Sequence, residues 1–175
     1  LRTPEVSVRF LDMTANGTTD IVWVSSSGLV EFVELSATRP NLLVRVDNGI
    51  GKRIRLAYDT VYQQLARDGG LGAWARTLPN PMVVLSSISL EDTRSGVVQQ
   101  QVLSYRNGYW DGEEHQFRGF EEVWVRTPGD THVETGEVLH TFDVGVSDRY
   151  HRGLPLRVET RSNGRVLSVG TSEWT

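Results

Sequence analysis

Apolar and polar residues alternate with a period of two along most of the chain, a spacing that suits half-buried β-strands and fits few other elements. In "VSVRF", "RIRLAY" and "PLRVE" the apolar side chains return at every second position, which on a strand places them on one face. Residues 5–11, 20–25, 29–35, 42–47, 52–58, 82–90, 97–106, 113–127, 136–144, 154–162 and 165–170 read this way. The expected fold class is therefore all-β, built of antiparallel hairpins joined in a meander. The breaks are turn chemistry, because "SSSG" at 25–28, "DNGIG" at 47–51, "RNG" at 106–108, "PGD" at 128–130 and "SNG" at 162–164 supply Gly or Asn for positive φ. Asn163-Gly164, set between two alternating runs, predicts a type I′ hairpin.

One stretch has the wrong period for a strand. "YDTVYQQLARDGG" offers Asp59 or Thr60 as an N-cap, Val61 and Leu65 one turn apart, and Gly69 as a stop, which predicts a helix of a turn or two. The following "LGAWARTLPNP" carries too many breakers for regular structure and reads as a surface connection into the strand at Met82. A composition shift at "SATRPN", residues 36–41, separates a short unit, 1–38, from a long meander, 39–175. The alternation is already under way at Val6, Val8 and Phe10 and still running in "VLSVGTSEWT", so a fragment of a longer protein is expected.

Charge and cysteine content narrow the function classes. Eighteen basic against twenty-two acidic residues, a net charge of −4, gives no basic footprint for nucleic acid or an anionic membrane. No run approaches the length of a membrane-spanning helix, and the start lacks the features of a signal peptide. Without cysteine there is neither a disulfide nor a thiolate metal site. The histidines His115, His132, His140 and His151 are scattered, no serine sits in a GxSxG elbow, and "GIGKR" lacks phosphate-loop spacing.

Two stretches could carry chemistry. In "DMTANGTTD" the oxygen-bearing residues Asp12, Thr14, Asn16 and Asp20 fall at relative positions one, three, five and nine, with Gly17 at six. That is the spacing of a calcium loop, although a bidentate Glu at position twelve is absent. The same side chains can instead satisfy the loop's own N–H groups as Asx and ST turns without a metal. The loop and its flanks, "VRFLD" and "DIVWV", resemble an FG-GAP or VCBS-type blade of a β-propeller.

The second stretch is "YWDGEEHQFRGFEEVWV", residues 109–125. Asp111 with Glu113 or Glu114, and His115 as proton carrier, would suit a glycoside hydrolase. However, Glu113 and Glu114 are neighbours, so on a strand they face opposite ways. The structural reading takes "YWDG" as a turn, with Glu121, Val123 and Val125 on one face and Phe120, Glu122 and Trp124 on the other. Arg118 would pair with Glu113 or Glu114 and lie flat on an aromatic ring, stapling a bent hairpin. A third reading has the hairpins "YRNGYWDG" and "RTPGD" present aromatics to a carbohydrate or a protein.

The run "SYRNGYWDGEEHQFRGFEEVWV" is similar to a signature of the SpvB/TcdB-like proteins, the B components of bacterial insecticidal toxin complexes. Tyr105, Gly108, Asp111, Gly112, Glu114, Phe117, Arg118, Gly119 and Phe120 carry it, with support from "NLLVRVDNGIGKRIRLAYDT", "LPNPMVVLSSI" and "HRGLPLRVET". The resemblance implies that 1–38 ends a propeller and 39–175 begins an Rhs-like β-shell. It also implies a secreted or cell-surface assembly in which the shell, completed by an Rhs-type C component, encloses a toxic polypeptide. The propeller would dock on a channel-forming A component. The family's catalytic parts have no matching motif here, so a segment without an active site is expected.

Overall fold

The computed structural model describes residues 5–174; the outer limits of the two expected units, residues 1–4 and 175, lie outside the described residues. Strands β1 (Val6–Leu11), β2 (Asp20–Ser25) and β3 (Val30–Val33) form one antiparallel sheet in the order β1-β2-β3. The second sheet has eight strands: β4 (Arg45–Asp47), β5 (Lys52–Thr60), β6 (Val83–Asp92), β7 (Val98–Asp111), β8 (Gln116–Thr127), β9 (Gly136–Phe142), β10 (Pro155–Ser162) and β11 (Arg165–Thr171). They stand side by side in chain order, each antiparallel to the next. The architecture is all-β, as the alternation requires. None of the helices among the described residues is long and apolar enough to cross a membrane.

The tight turns follow their residues. Asn163 and Gly164 take φ of 45° and 78°, the pair of positive angles that a type I′ turn needs. By contrast, "RNG" is no turn: residues 106–108 lie inside β7, where Asn107 takes φ 53° and its Oδ1 accepts the N–H of Ala75 at 2.8 Å. Likewise Tyr109, Trp110 and Asp111 complete β7, and the turn is 112–115, so β8 begins at Gln116 rather than at 113.

Helix α1 (Val61–Arg67) is capped by Thr60, whose hydroxyl accepts from Gln63 N while the Gln63 side chain accepts from Thr60 N, a reciprocal capping box. Its apolar pair, Val61 and Leu65, is buried.

The ladder between β6 and β7 runs only from Glu91↔Val98 to Ser87↔Val102. Beyond it the two strands part, and α1 with residues 71–81 fills the fork. Here the sequence reading is corrected: the segment 71–81 is not merely a surface connection. Trp74 and Leu78 are as buried as Val61 and Leu65, and all four cluster with Val84 beneath Tyr62, Met82, Tyr105, Trp110, Phe117 and Phe120. Polar ties fix the plug, with Tyr62 OH donating to Leu78 O at 2.7 Å and Trp74 Nε1 to Asp68 Oδ2 at 2.7 Å. Large side chains of this kind contribute about 1.5–3 kcal/mol each on burial, which outweighs the breaker content of the segment.

Candidate functional site

The signature residues converge on the far end of the β7–β8 hairpin, next to this core. Along that hairpin the register passes from Tyr109↔Gly119 to Trp110↔Phe117, leaving Arg118 without an opposite residue. Gly119, at φ 120°, supplies the backbone angle that such a bulge requires. The bulge re-aims Arg118 out of the strict alternation and turns it inward, where the residue is only 6% exposed.

What receives it is the turn itself. Asp111 Oδ1 accepts the N–H groups of Glu113 at 2.9 Å and Glu114 at 3.1 Å, and Oδ2 accepts from Arg118 Nη2 at 2.5 Å. The same Nη2 lies 3.0 Å from Glu114 Oε2, and Nη1 reaches Arg149 O at 3.5 Å. Arg149 completes the group by approaching Glu114 Oε1 at 3.4 Å. The backbone N–H of Glu114, then that of Glu113 and the Arg118 guanidinium, outweigh desolvation and hold the Asp111 carboxyl below the ordinary carboxylate range. Arg149 is raised by its hydrogen bond to Tyr150 and by Glu114.

Arg118 thus pairs with Glu114, as one arm of the sequence reading has it, and with Asp111, which that reading did not consider as its partner. It does not lie on a ring: the stacked cations are Arg76 over Tyr109, Arg149 over Tyr150 and Arg161 over Trp124. Glu113 contributes its N–H, and His115 sits in the turn at φ 51° with its side chain exposed.

The apolar members form the other half. Phe120 packs 4.9 Å from Tyr105 and 5.1 Å from Phe117, the latter edge-on, and burial pushes the Tyr105 hydroxyl pKa up. Gly108 is required by closeness, since a Cβ there would stand 2.8 Å from Leu78 Cδ1 and 3.0 Å from Phe120 Cε1. Nothing in its surroundings explains a glycine at Gly112.

Two supports escaped the sequence reading. Gln64, 3% exposed, accepts Tyr105 N–H at 3.0 Å and donates to Leu103 O at 3.5 Å, so its amide acts as a surrogate strand on the open edge of β7. Glu159, 2% exposed, is held between Arg157 and Arg161. An R-x-E-x-R spacing within an alternating run was the available signal for the second.

In the loop 12–20, the Asp12 carboxylate accepts Asn16 N at 3.2 Å and Gly17 N at 2.8 Å, and Asp20 Oδ2 accepts Met13 N at 2.8 Å. Asn16 donates to Glu34 Oε1 at 2.6 Å and Ser36 O at 3.0 Å and accepts from Thr18; Thr14 donates to Glu34 at 3.4 Å. Of the loop's side-chain atoms, Asp20 Oδ1 is buried without a partner. The Asp12 carboxylate, Asn16 Oδ1 and Asp20 Oδ2 thus accept N–H groups of the loop's own backbone, as Asx residues do, whereas the Thr14 and Thr18 hydroxyls act as donors to Glu34, Asn16 and Ser36.

The family model of the insecticide toxin TcdB middle/N-terminal region matches residues 2–146. No curated protein matches the chain. Among solved structures, the chain is similar to a Photorhabdus luminescens Tc holotoxin pore carrying a substitution in TccC3 (TM-score 0.74, 18% identity, 93% of this chain and 11% of that one). It is also similar to TcdB2-TccC3-TEV (0.73, 19%, 93% and 11%) and to TcdB2-TccC3-Cdc42 (0.71, 18%, 90% and 10%). At these identities the likeness is one of fold, and the chain spans about a tenth of the length of those neighbours. Since the matched stretch takes in most of its residues and holds the whole β7–β8 hairpin, the chain belongs to the family of the TcdB toxin middle/N-terminal region.

Proposed function

We propose that the chain is a non-enzymatic wall segment of a toxin-complex B component. Residues 39–175 contribute strands to a β-shell that encloses a toxic polypeptide before translocation, and residues 1–38 are the end of a propeller of FG-GAP or VCBS type. The partners in this reading are an Rhs-type C component, the enclosed polypeptide and a channel-forming A component, in a secreted or surface-displayed assembly. The observation that carries it is the use made of the signature residues. Asp111 and Glu114 are both spent on Arg118, and Phe117, Phe120 and Gly108 on packing, so the stretch is built to hold a hairpin. Family membership and the similar structures, a complex of TcdB2 with TccC3 and a Tc holotoxin pore, support the same reading.

A glycoside hydrolase would need one carboxyl of the pair kept protonated near neutral pH. Asp111, held low, is not that acid, and both it and Glu114 are engaged by the buried Arg118; among the described residues no pocket is lined by converging aromatics that would favour the binding-module reading. The test is protease protection of the cargo in the full-length parent assembled with its C component. Cargo that becomes digestible in the Arg118→Ala, Phe120→Ala variant supports the wall; cargo equally resistant in a folded variant removes this stretch from the wall. The loop 12–20 is taken as metal-free, so calcium at about millimolar concentration leaves the melting temperature unchanged, and a clear rise would assign the loop to calcium.

A further inference from the structure

The loop of the three-stranded sheet touches the second sheet at Thr60 and Val83. Thr60 is 1% exposed although it stands at the end of a strand. Its hydroxyl does two things at once. It accepts the N–H of Gln63 at 3.2 Å as the cap of α1, and it donates to Ala15 O at 2.6 Å. Ala15 belongs to the loop of the three-stranded sheet, and its carbonyl is delivered there by a φ of 57°, an angle that costs an alanine energy. Beside it Gly17, at φ 83°, lies so close that a Cβ would stand 2.8 Å from Val83 Cγ2 and 3.5 Å from Thr60 Cγ2. The loop is braced from within by Asp12 and from behind by the bonds of Asn16 and Thr18 to Ser36 O. It therefore meets the second sheet as a preformed shape.

We propose that this loop is a keyed joint. Ala15 and Gly17 seat on Thr60 and Val83, fix the orientation of the three-stranded sheet on the eight-stranded one, and pass any displacement of the first sheet into β5, α1 and β6. Two small sheets joined by a linker would otherwise move relative to each other. The strained alanine, the close glycine and the buried hydroxyl have one consequence in common, which is the fit across this contact. The residues of the loop that resemble a metal shell are then the braces of the key. The inference goes beyond the wall function and does not depend on a cargo being enclosed.

The test uses the full-length parent, spin-labelled at Ser27→Cys in the β2–β3 turn and Ser95→Cys in the β6–β7 turn, both exposed, with other cysteines replaced. Double electron–electron resonance reads the distance distribution between the sheets. Wild type gives one narrow peak. Thr60→Val, which keeps the shape and removes both hydrogen bonds, broadens the peak roughly twofold or more, and Thr60→Ser, which retains them, restores it. Gly17→Ala attacks the joint from the other side, chiefly at Val83, and leaves both hydrogen-bonding groups of the Thr60 cap in place, so it decides the matter if Thr60→Val does not fold. A peak as narrow and as centred as wild type in folded Thr60→Val, or in Gly17→Ala where that variant decides, overturns the joint. Protease protection of cargo is read separately, so the joint and the wall can fail independently.

Discussion

Arg118 sits where a small change should be felt, because its charge is almost wholly withdrawn from water and is balanced by two carboxylates of one turn. Removing one partner of a fully buried pair costs about 3–5 kcal/mol, and here the carboxylates keep some contact with water. Arg118→Ala should therefore lower stability by about 2–3 kcal/mol in urea unfolding. Arg118→Lys recovers only part of it, since a single ammonium cannot reproduce the fork. Asp111 gives the pH counterpart. Its folded pKa lies below the ordinary value, so its contribution is fully present above that value and is lost as pH falls through the folded one. Melting curves from about pH 6 to about pH 2 should fall with acid in wild type, and Asp111→Asn should start lower at neutral pH and flatten that limb. The sequence made the residue types of this site legible but not the pairing. Alternation alone assigns Arg118 to a face, and the bulge that overrides it is set by the cross-strand register and by Gly119, which only the partner strand discloses.

At the scale of elements, the acid sensitivity is shared by the hairpins. Asp47, Asp92 and Asp130 are also held below the ordinary range, each chiefly by a backbone N–H two residues on, from Gly49, Arg94 and His132. The turns that punctuate the meander were readable for this reason: Asn, Asp and Gly fold them locally, with little help from the rest of the chain. The plug was not readable, because nothing local distinguishes a loop that covers a core from one that runs over the surface. Three large apolar residues in "LGAWARTLPNP", Leu71, Trp74 and Leu78, were the hint, though only the last two are buried, and Gly108 inside a strand was the matching one, marking a close approach that turned out to be Leu78. Gln64 completes the plug by standing in for a strand. Gln64→Leu keeps the volume and abandons Tyr105 N–H and Leu103 C=O, so a loss of about 1–3 kcal/mol is expected. Hydrogen exchange at the Tyr105 amide should accelerate while that of Val123 on β8 changes little; equal acceleration of both would deny Gln64 this local role.

For the molecule as a whole, the eight strands stand side by side in chain order, and the hydrophobic cluster found among the described residues lies at the fork between β6 and β7. β11 is paired on one side and carries Val166, Leu167 and Val169 about half exposed, an edge of the kind that recruits another strand. The chain expressed by itself should associate in sedimentation experiments, and Val166→Lys with Val169→Lys should shift it toward monomer; a monomeric wild-type chain would show that the edge is protected. All-β class, strand order and most turns follow from the alternation, whereas the way the sheets are fastened to each other does not, since a buried Thr60 reads in sequence as a cap and nothing more. The fork between β6 and β7 has one more consequence. A wall of continuous ladder can bend only as far as strand twist allows, but a wall split by a wedge can turn a corner whose angle is set by the wedge's thickness. Residues 61–81 would then serve as a dial for curvature. In the wall reading proposed above, a bulkier or leaner plug between unchanged strands would change the curvature while keeping the same hydrogen-bond pattern.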